Sequence, residues 1–296
     1  MAVIFVPAEV THLRGIDPGE IRIVEIAVPY SFEVDGRMYP LMDEMRPGTA
    51  FLAEPFGART KKRQKRLYTR SNCSLTANRV LQTIINDTHD PQADTSVWWQ
   101  TEEVKVGDRM SVRVEFDGDG SRLVVYEHRI KDENKSLKLE PDDWWLDKKF
   151  LGIGFSTGVT PLLAHVQYLA ALGFGRTAKI RGAHYLLIVS VKNPKQLMFH
   201  EEMLALEKRF PESFRYHPVL TRQWPEDWSY THGRIVRSVK GADGTETVSV
   251  DPLLQVAPDL EERHVRMCGN ETAEAQLRAG FDQSQKKPAS FKAEVW

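Results

Sequence analysis

KKFLGIGFSTGVTPLLAHVQYLAALG, residues 148–173, decides how this chain is read. It opens with an apolar run of strand type, passes through a glycine turn at 152–161, and continues as a stretch with helical spacing of apolar residues. Thr160 reads as the N-cap of that helix, Pro161 suits its first position, and Gly173 closes it. A strand that turns through glycines into a helix is half of a βαβ unit, and such units build parallel sheets.

The same rhythm continues towards the carboxyl terminus. HYLLIVSV (184–191), FRYHPVL (214–220) and HVRMC (264–268) read as strands, and FHEEMLALEKRF (199–210) and TAEAQLRAGF (272–281) as helices. The chain stops at FKAEVW, giving a doubly wound unit of at least five elements. Towards the amino terminus the texture changes. Short β-type runs, IRIVEIAVPY, TAFLAEP, RLYT and SVRVEF, alternate with Gly, Pro and Asp turns and predict an antiparallel barrel or sandwich. The predicted division is therefore β followed by α/β, with domains of residues 1–148 and 149–296. Residues 74–86 suit either a strand or a short helix. Residues 117–147 read as a hairpin at DGDG followed by an exposed connection, and Trp144 and Trp145 are expected to plug the joint between the domains.

Composition bounds the rest. The 296 residues are 41% hydrophobic, with seven Trp and thirteen Phe, enough apolar material for real cores. Forty basic and forty-one acidic side chains leave a formal charge of −1, so no global field recruits nucleic acid or membrane. Cys73 and Cys268 lie far apart without a C-x-x-C pair, which excludes a cysteine-held zinc or iron–sulfur centre and leaves no metal site expected. The amino terminus lacks a basic leader and its apolar run is broken by Pro7, so a cytoplasmic location is expected.

Two stretches carry chemistry. The glycines of GIGFSTGVTP either let backbone N–H groups approach a phosphate at a helix end or serve only to make a tight turn. Arg59, Lys61, Lys62, Arg63, Lys65 and Arg66 form a basic loop leading into RLYT, where Arg66, Tyr68 and Arg70 share one face of a strand. A ring and a guanidinium fork on one face could act on one ligand; the competing reading is a solvated loop.

Taken in order, PLMDEMRPGTAFLAEP with the basic loop and RLYT, then GFSTGVTP, HVRMCGN and FKAEVW resemble the successive landmarks of the ferredoxin-NADP reductase family, with the plant-type layout fitting best. The resemblance runs from about Pro40 to Trp296; residues 1–39 resemble the family only as generic strands. It implies an antiparallel FAD-binding β-barrel followed by a parallel-sheet NAD(P)-binding α/β domain, and an oxidoreductase that exchanges a hydride between NADPH and flavin N5 and single electrons with a ferredoxin or flavodoxin.

The resemblance also implies roles. Within RLYT, Arg66 pairs with FAD pyrophosphate, Leu67 accompanies it, Tyr68 stacks on the isoalloxazine, and Thr69 hydrogen-bonds near N5 in place of the commoner Ser. Thr95 and Ser96 are the candidates for the second flavin-phosphate contact. Trp296 covers the flavin ring, Glu294 relays a proton or stabilises charge, and Cys268 with Gly269 sits beside the nicotinamide. Gly154, Thr157, Gly158, Thr160 and Pro161 match the pyrophosphate turn of NADP, and Thr221, Arg222 and Arg234 the 2′-phosphate side, favouring NADPH over NADH. The partner is expected to dock on Arg59, Lys61, Lys62, Arg63 and Lys65.

Departures are also visible. The second flavin-phosphate motif is not evident in DTSVWWQTEEVKVGD (94–108), and Phe155 and Ser156 stand where a more glycine-like run is expected. The alternatives are an NAD(P)H-dependent reductase component of an oxygenase or other redox system, an inactive flavin-binding scaffold, and a nucleic-acid-binding barrel.

Overall fold

The structure, a computed structural model, describes residues 3–17, 20–86, 93–128, 130–141, 144–175, 182–240 and 246–295. The chain divides into two compact units, residues 1–130 with 163–168, and residues 131–162 with 169–296.

The first unit contains β1 (Ile4–Asp17), β2 (Ile21–Ala27), β3 (Ser31–Val34), β4 (Arg37–Met42), β5 (Ala50–Glu54), β6 (Arg66–Thr69), β7 (Val80–Asn86), β8 (Arg109–Phe116), β9 (Leu123–Val125) and the helix α1 (Asp94–Gln100). The strand order is β3-β4-β9-β8-β1-β2-β7, with β5 pairing to both β8 and β6. Every pair is antiparallel except β4 with β9. Register shifts in β1 bend the sheet, and just past β6 the Ser71 N–H donates to the Gln82 carbonyl on β7, 2.8 Å away, so the curled sheet returns on itself. Alternation along β2, β5 and β8 sends Val24, Ile26, Phe51, Ala53, Met110, Val112 and Val114 to the core. Trp98 and Trp99 of α1 join the same core, and Arg22 closes the helix by donating to the carbonyls of Trp99 and Thr101. The segment left open between strand and helix is strand β7 over its second half.

The second unit is a sheet of β10 (Lys149–Phe155), β11 (His184–Val191), β12 (Phe214–Leu220), β15 (Arg263–Gly269) and β16 (Ser290–Val295), with a separate hairpin of β13 (Arg237–Lys240) and β14 (Glu246–Ser249). Its helices are α3 (His200–Arg209), α4 (Asp251–Val256), α5 (Glu271–Ser284) and the two ends of α2 (Thr160–Ala171), whose middle, residues 163–168, falls with the first unit. All neighbours in the order β12-β11-β10-β15-β16 are parallel. The central strands are buried on both faces, which is why HYLLIVSV is apolar almost without interruption. From β10 the chain first builds outward through β11 and β12, then returns to the other side of β10 with β15. The order reverses between β10 and β15, the place where ligands bind in such sheets.

Two local expectations are corrected. A 3₁₀ turn, Ser156–Val159, precedes α2, and Thr160 already has helical dihedrals, so it is the helix's first residue and not its cap. Its hydroxyl instead donates to the Thr157 carbonyl within the turn. Gly173 does close the helix, with φ of +59°. The hairpin at DGDG is present as β8 and β9, but the connection after it is not exposed along its length: Leu137, Leu139 and Trp145 are buried. Glu140 accepts from Arg266 of β15 and Lys292 of β16, and Trp144 meets His264 edge-on at 5.0 Å. Both tryptophans thus lie in the connecting segment of the second unit, and the ring partner of Trp144 belongs to that unit's own sheet.

Candidate functional site

At the carboxyl ends of the second unit's strands lies an open cleft of about 420 Å³. Phe155 and Ser156 border it from the turn after β10, Thr221 and Arg222 from the end of β12, Arg234 from the following loop, and Asn270 from the end of β15. The loops are tied together: the Thr221 N–H and hydroxyl both donate to the Val191 carbonyl at 2.8 and 3.0 Å, and the Arg222 N–H donates to Lys192 at 3.0 Å. Arg222 and Arg234 are exposed, and among the described residues neither guanidinium has a carboxylate partner. Asn270 caps α5, its side chain accepting from the Ala273 N–H, so the positive end of a fourteen-residue helix also borders the cleft. The cleft suits an anionic ligand.

A Cβ on Gly154 would lie 2.7 Å from the Val159 Cα, so only glycine lets the backbone fold back there. Ser156 takes φ of +53°, a conformation more natural to glycine, which explains the departure seen in GFSTGVTP as local strain carried by one residue. Of the residues expected in this turn, Thr157 is half-buried, whereas Gly158, Thr160 and Pro161 are buried and support the turn instead of lining the cleft. Gly269 allows Phe155 to pack against it; a Cβ there would meet the ring at 2.9 Å.

Gly154, Cys268 and Glu294 are register partners across β10, β15 and β16. The row brings together Cys268, expected beside the nicotinamide, and Glu294, expected near the flavin. Cys268 is buried, and burial, with the charge of Glu294 added, pushes its thiol well above the ordinary range. Trp296 lies outside the described residues.

In the first unit, β6 places Arg66 and Leu67 in the open and Thr69 half-buried. Arg66, Tyr68 and Arg70 share a face, as alternation requires, but that face turns inward after Arg66. Tyr68 packs on Phe51 in the core, and its hydroxyl accepts from Trp99 Nε1 at 2.9 Å. Burial pushes its phenol up to about 12 despite hydrogen bonds to Trp99 and Thr95. The ring expected to stack on a ligand is therefore a core residue. Thr95, expected at a cofactor phosphate, is buried beside it, because the first turn of α1 packs into the barrel end; Ser96 is half-buried. Arg70 is wholly buried in an ion pair with Asp43 at 2.7 Å. The outer face of this part of the sheet carries the half-exposed pairs Ala50 with Thr69 and Leu52 with the exposed Leu67.

Residues 153–278 match the family described as oxidoreductase NAD-binding domain. The matched stretch lies within the part of the chain that builds the parallel sheet. Solved structures extend the likeness to the whole chain at the level of fold. A cytochrome P450 reductase of Amycolatopsis superposes with a TM-score of 0.65 at 17% identity, over 99% of this chain and 70% of that one. The flavohaem-like FAD/NAD-binding domain of a Vibrio cholerae nitric oxide dioxygenase gives 0.63 at 13% identity, over 98% of each. A ferredoxin-NADP+ reductase of Plasmodium falciparum, with 2′P-AMP, gives 0.62 at 15% identity, over 99% and 96%. No curated protein matches the chain. The chain thus has the two-unit fold of these solved structures, and the residues bordering the cleft all fall within the stretch that matches the family model.

Asn270 as a border of the cleft was not read from the sequence, although an Asn before ETAEAQL is a legible cap signal. No group of three or more His, Cys, Asp or Glu among the described residues could hold a metal ion, and no helix among them is long and apolar enough to cross a membrane.

Proposed function

We propose that this chain is a flavin-dependent reductase that takes a hydride from NADPH and delivers electrons singly to a ferredoxin or flavodoxin. The observation that carries the reading is the cleft bordered by two arginines, Arg222 and Arg234, that have no carboxylate partner among the described residues. A guanidinium offers a bidentate fork to a phosphate dianion, which NADPH has and NADH lacks. Gly154 lets the turn approach the pyrophosphate, and Cys268, held as a neutral thiol beside Glu294, is a compact neighbour for the nicotinamide.

FAD, bound when the enzyme works, supplies what no side chain does, taking up an electron pair and releasing it one electron at a time. The residues of β6 fit such a group: Arg66 is exposed for the diphosphate, and Leu67, Thr69, Ala50 and Leu52 present a partly apolar outer face to a flat ring. Tyr68 belongs to the wall behind that face.

Part of the basic loop serves the barrel itself. Lys61 pairs with Glu103 at 2.6 Å, Arg59 lies 3.8 Å from Asp94, Arg63 covers Phe56, and Lys65 covers Phe5. Lys62, Arg63 and Lys65 have no carboxylate partner among the described residues and form the docking surface of this reading. The compensation of Lys61 and Arg59, with the fold likeness to a P450 reductase, favours as second reading a reductase that serves an oxygenase component. A yellow purified protein that NADPH bleaches anaerobically faster than NADH is the expected result; a colourless protein that takes up no flavin on reconstitution overturns the proposal. Ferredoxin turnover that falls with salt, while reduction of a neutral dye does not, distinguishes the first partner from the second.

A further inference from the structure

Gln64 connects two groups at the barrel rim. Its amide nitrogen donates to Asp94 Oδ2 at 2.6 Å and to Thr60 Oγ1 at 2.8 Å, while its amide oxygen accepts from Arg66 at 2.6 Å. Asp94, nearly buried in the first turn of α1, also accepts from the Arg59 N–H and the Thr60 hydroxyl, each at 2.7 Å. These donors, led by the Arg59 N–H, hold the carboxyl at about 2, so it is an anion that only accepts. An anion on one side fixes the Gln64 amide: NH₂ towards Asp94, carbonyl towards Arg66. The cluster is built around Gly57, where a Cβ would fall on Asp94, Thr60 and Gln64 together, and the surrounding loop is closed by Gly57 N–H to Lys62 at 2.9 Å and Ala58 N–H to Asp94 at 3.0 Å.

Arg66 is held at two points, Gln64 and the Lys65 carbonyl at 2.9 Å, and meets no carboxylate among the described residues. These bonds use two of the five guanidinium N–H groups of an exposed side chain and leave the others for a ligand. An arginine on a free stem would lose rotamer entropy on binding; one tethered through its own NH₂ has part of that cost removed beforehand.

We propose that Asp94 and Gln64 are positioning residues that aim Arg66 at the diphosphate of a flavin dinucleotide, so that this relay sets the preference of the chain for a dinucleotide over a flavin without phosphate. The proposal rests on the flavin reading above. It assigns the sequence segment DTSVWW a purpose other than direct phosphate contact: its aspartate acts through Gln64.

The test is fluorescence titration of flavin-stripped full-length protein with FAD and with riboflavin, using wild type, Gln64→Ala, Asp94→Asn, Arg66→Ala and the double variant Gln64→Ala/Arg66→Ala. FAD affinity falls about tenfold in Gln64→Ala and Asp94→Asn, riboflavin affinity stays within twofold, and Gln64→Ala costs nothing further once Arg66 is gone. Should Asp94→Asn fail to fold, Gln64→Ala, which leaves the Asp94 bonds to Arg59 and Thr60 intact, carries the test. Equal losses for both flavins, or full additivity with Arg66→Ala, overturn the relay and leave the flavin reading standing. Wild-type protein that binds neither flavin overturns the reading itself.

Discussion

Cys268 and Glu294 stand opposite each other on adjacent parallel strands, and the carboxylate adds to burial in keeping the thiol protonated. A thiol so placed is a poor nucleophile, since the thiolate is the reactive form. Alkylation of Cys268, followed by peptide mass mapping to separate it from Cys73, is expected to run at least about tenfold slower than that of an unperturbed thiol near pH 8.5. Glu294→Gln removes the like charge and shifts the pH profile of alkylation downward. An unchanged profile would show that the carboxylate plays no part.

Arg222→Ala is expected to raise the KM for NADPH by about 10- to 100-fold, corresponding to about 1.5–3 kcal/mol for a charge-assisted hydrogen bond, and to leave the KM for NADH nearly unchanged. Parallel steady-state titrations with the two nucleotides check it, and equal effects on both would remove Arg222 from the 2′-phosphate.

The Arg70–Asp43 pair has no exposure on either side chain, and Arg70 also serves Asn72 and the carbonyls of Ala77 and Val80. Asp43→Ala leaves that guanidinium buried without its counterion and is expected to lower stability by about 3–5 kcal/mol. Asp43→Ala/Arg70→Met removes both charges and leaves the Val80 carbonyl its bond from Asn72 Nδ2 and the Ala77 carbonyl its bond from the Val80 N–H, so it costs less than the sum of the single changes. Urea unfolding of the set gives the coupling directly.

Asp94 gives an acid dependence of known sign. Its folded value, about 2, lies below its ordinary 3.8, so its contribution to stability is complete above 3.8 and is lost as the pH falls towards 2. Thermal unfolding of wild type and Asp94→Asn, compared from pH 5 to pH 2, should show a gap that narrows across that interval. A gap independent of pH would mean that the charge of Asp94 is not what holds the loop.

The parallel sheet was legible because its central strands are buried on both sides and therefore read as unbroken apolar runs, and because Gly173 marks a helix end that no other residue fits so easily. The cleft residues Thr221, Arg222 and Arg234 were also legible, since the ends of parallel strands fix where loops converge. Tyr68 was not. Alternation states that Arg66, Tyr68 and Arg70 share a face, but the choice of face depends on Asp43, Phe51 and Trp99, which sit 31 residues or fewer along the chain yet in no pattern with them. Thr160 shows a smaller limit: hydroxyl followed by proline suits a cap, and a preceding 3₁₀ turn moves the same pair one position into the helix. The polarity of residues 131–148 concealed the partners of Glu140 and Trp144, which lie more than a hundred positions later.

That connecting stretch runs alongside β16, the outermost strand of its sheet, with Glu133–Lys135 against the strand and Glu140 holding Lys292. It therefore works as a sheath over an edge that would otherwise be open to a neighbouring chain. Engineered fusions follow from this: the glycine-rich tip at 117–120 tolerates an inserted module, whereas the stretch around Leu137–Leu139–Glu140 does not, because lengthening it would peel the sheath away.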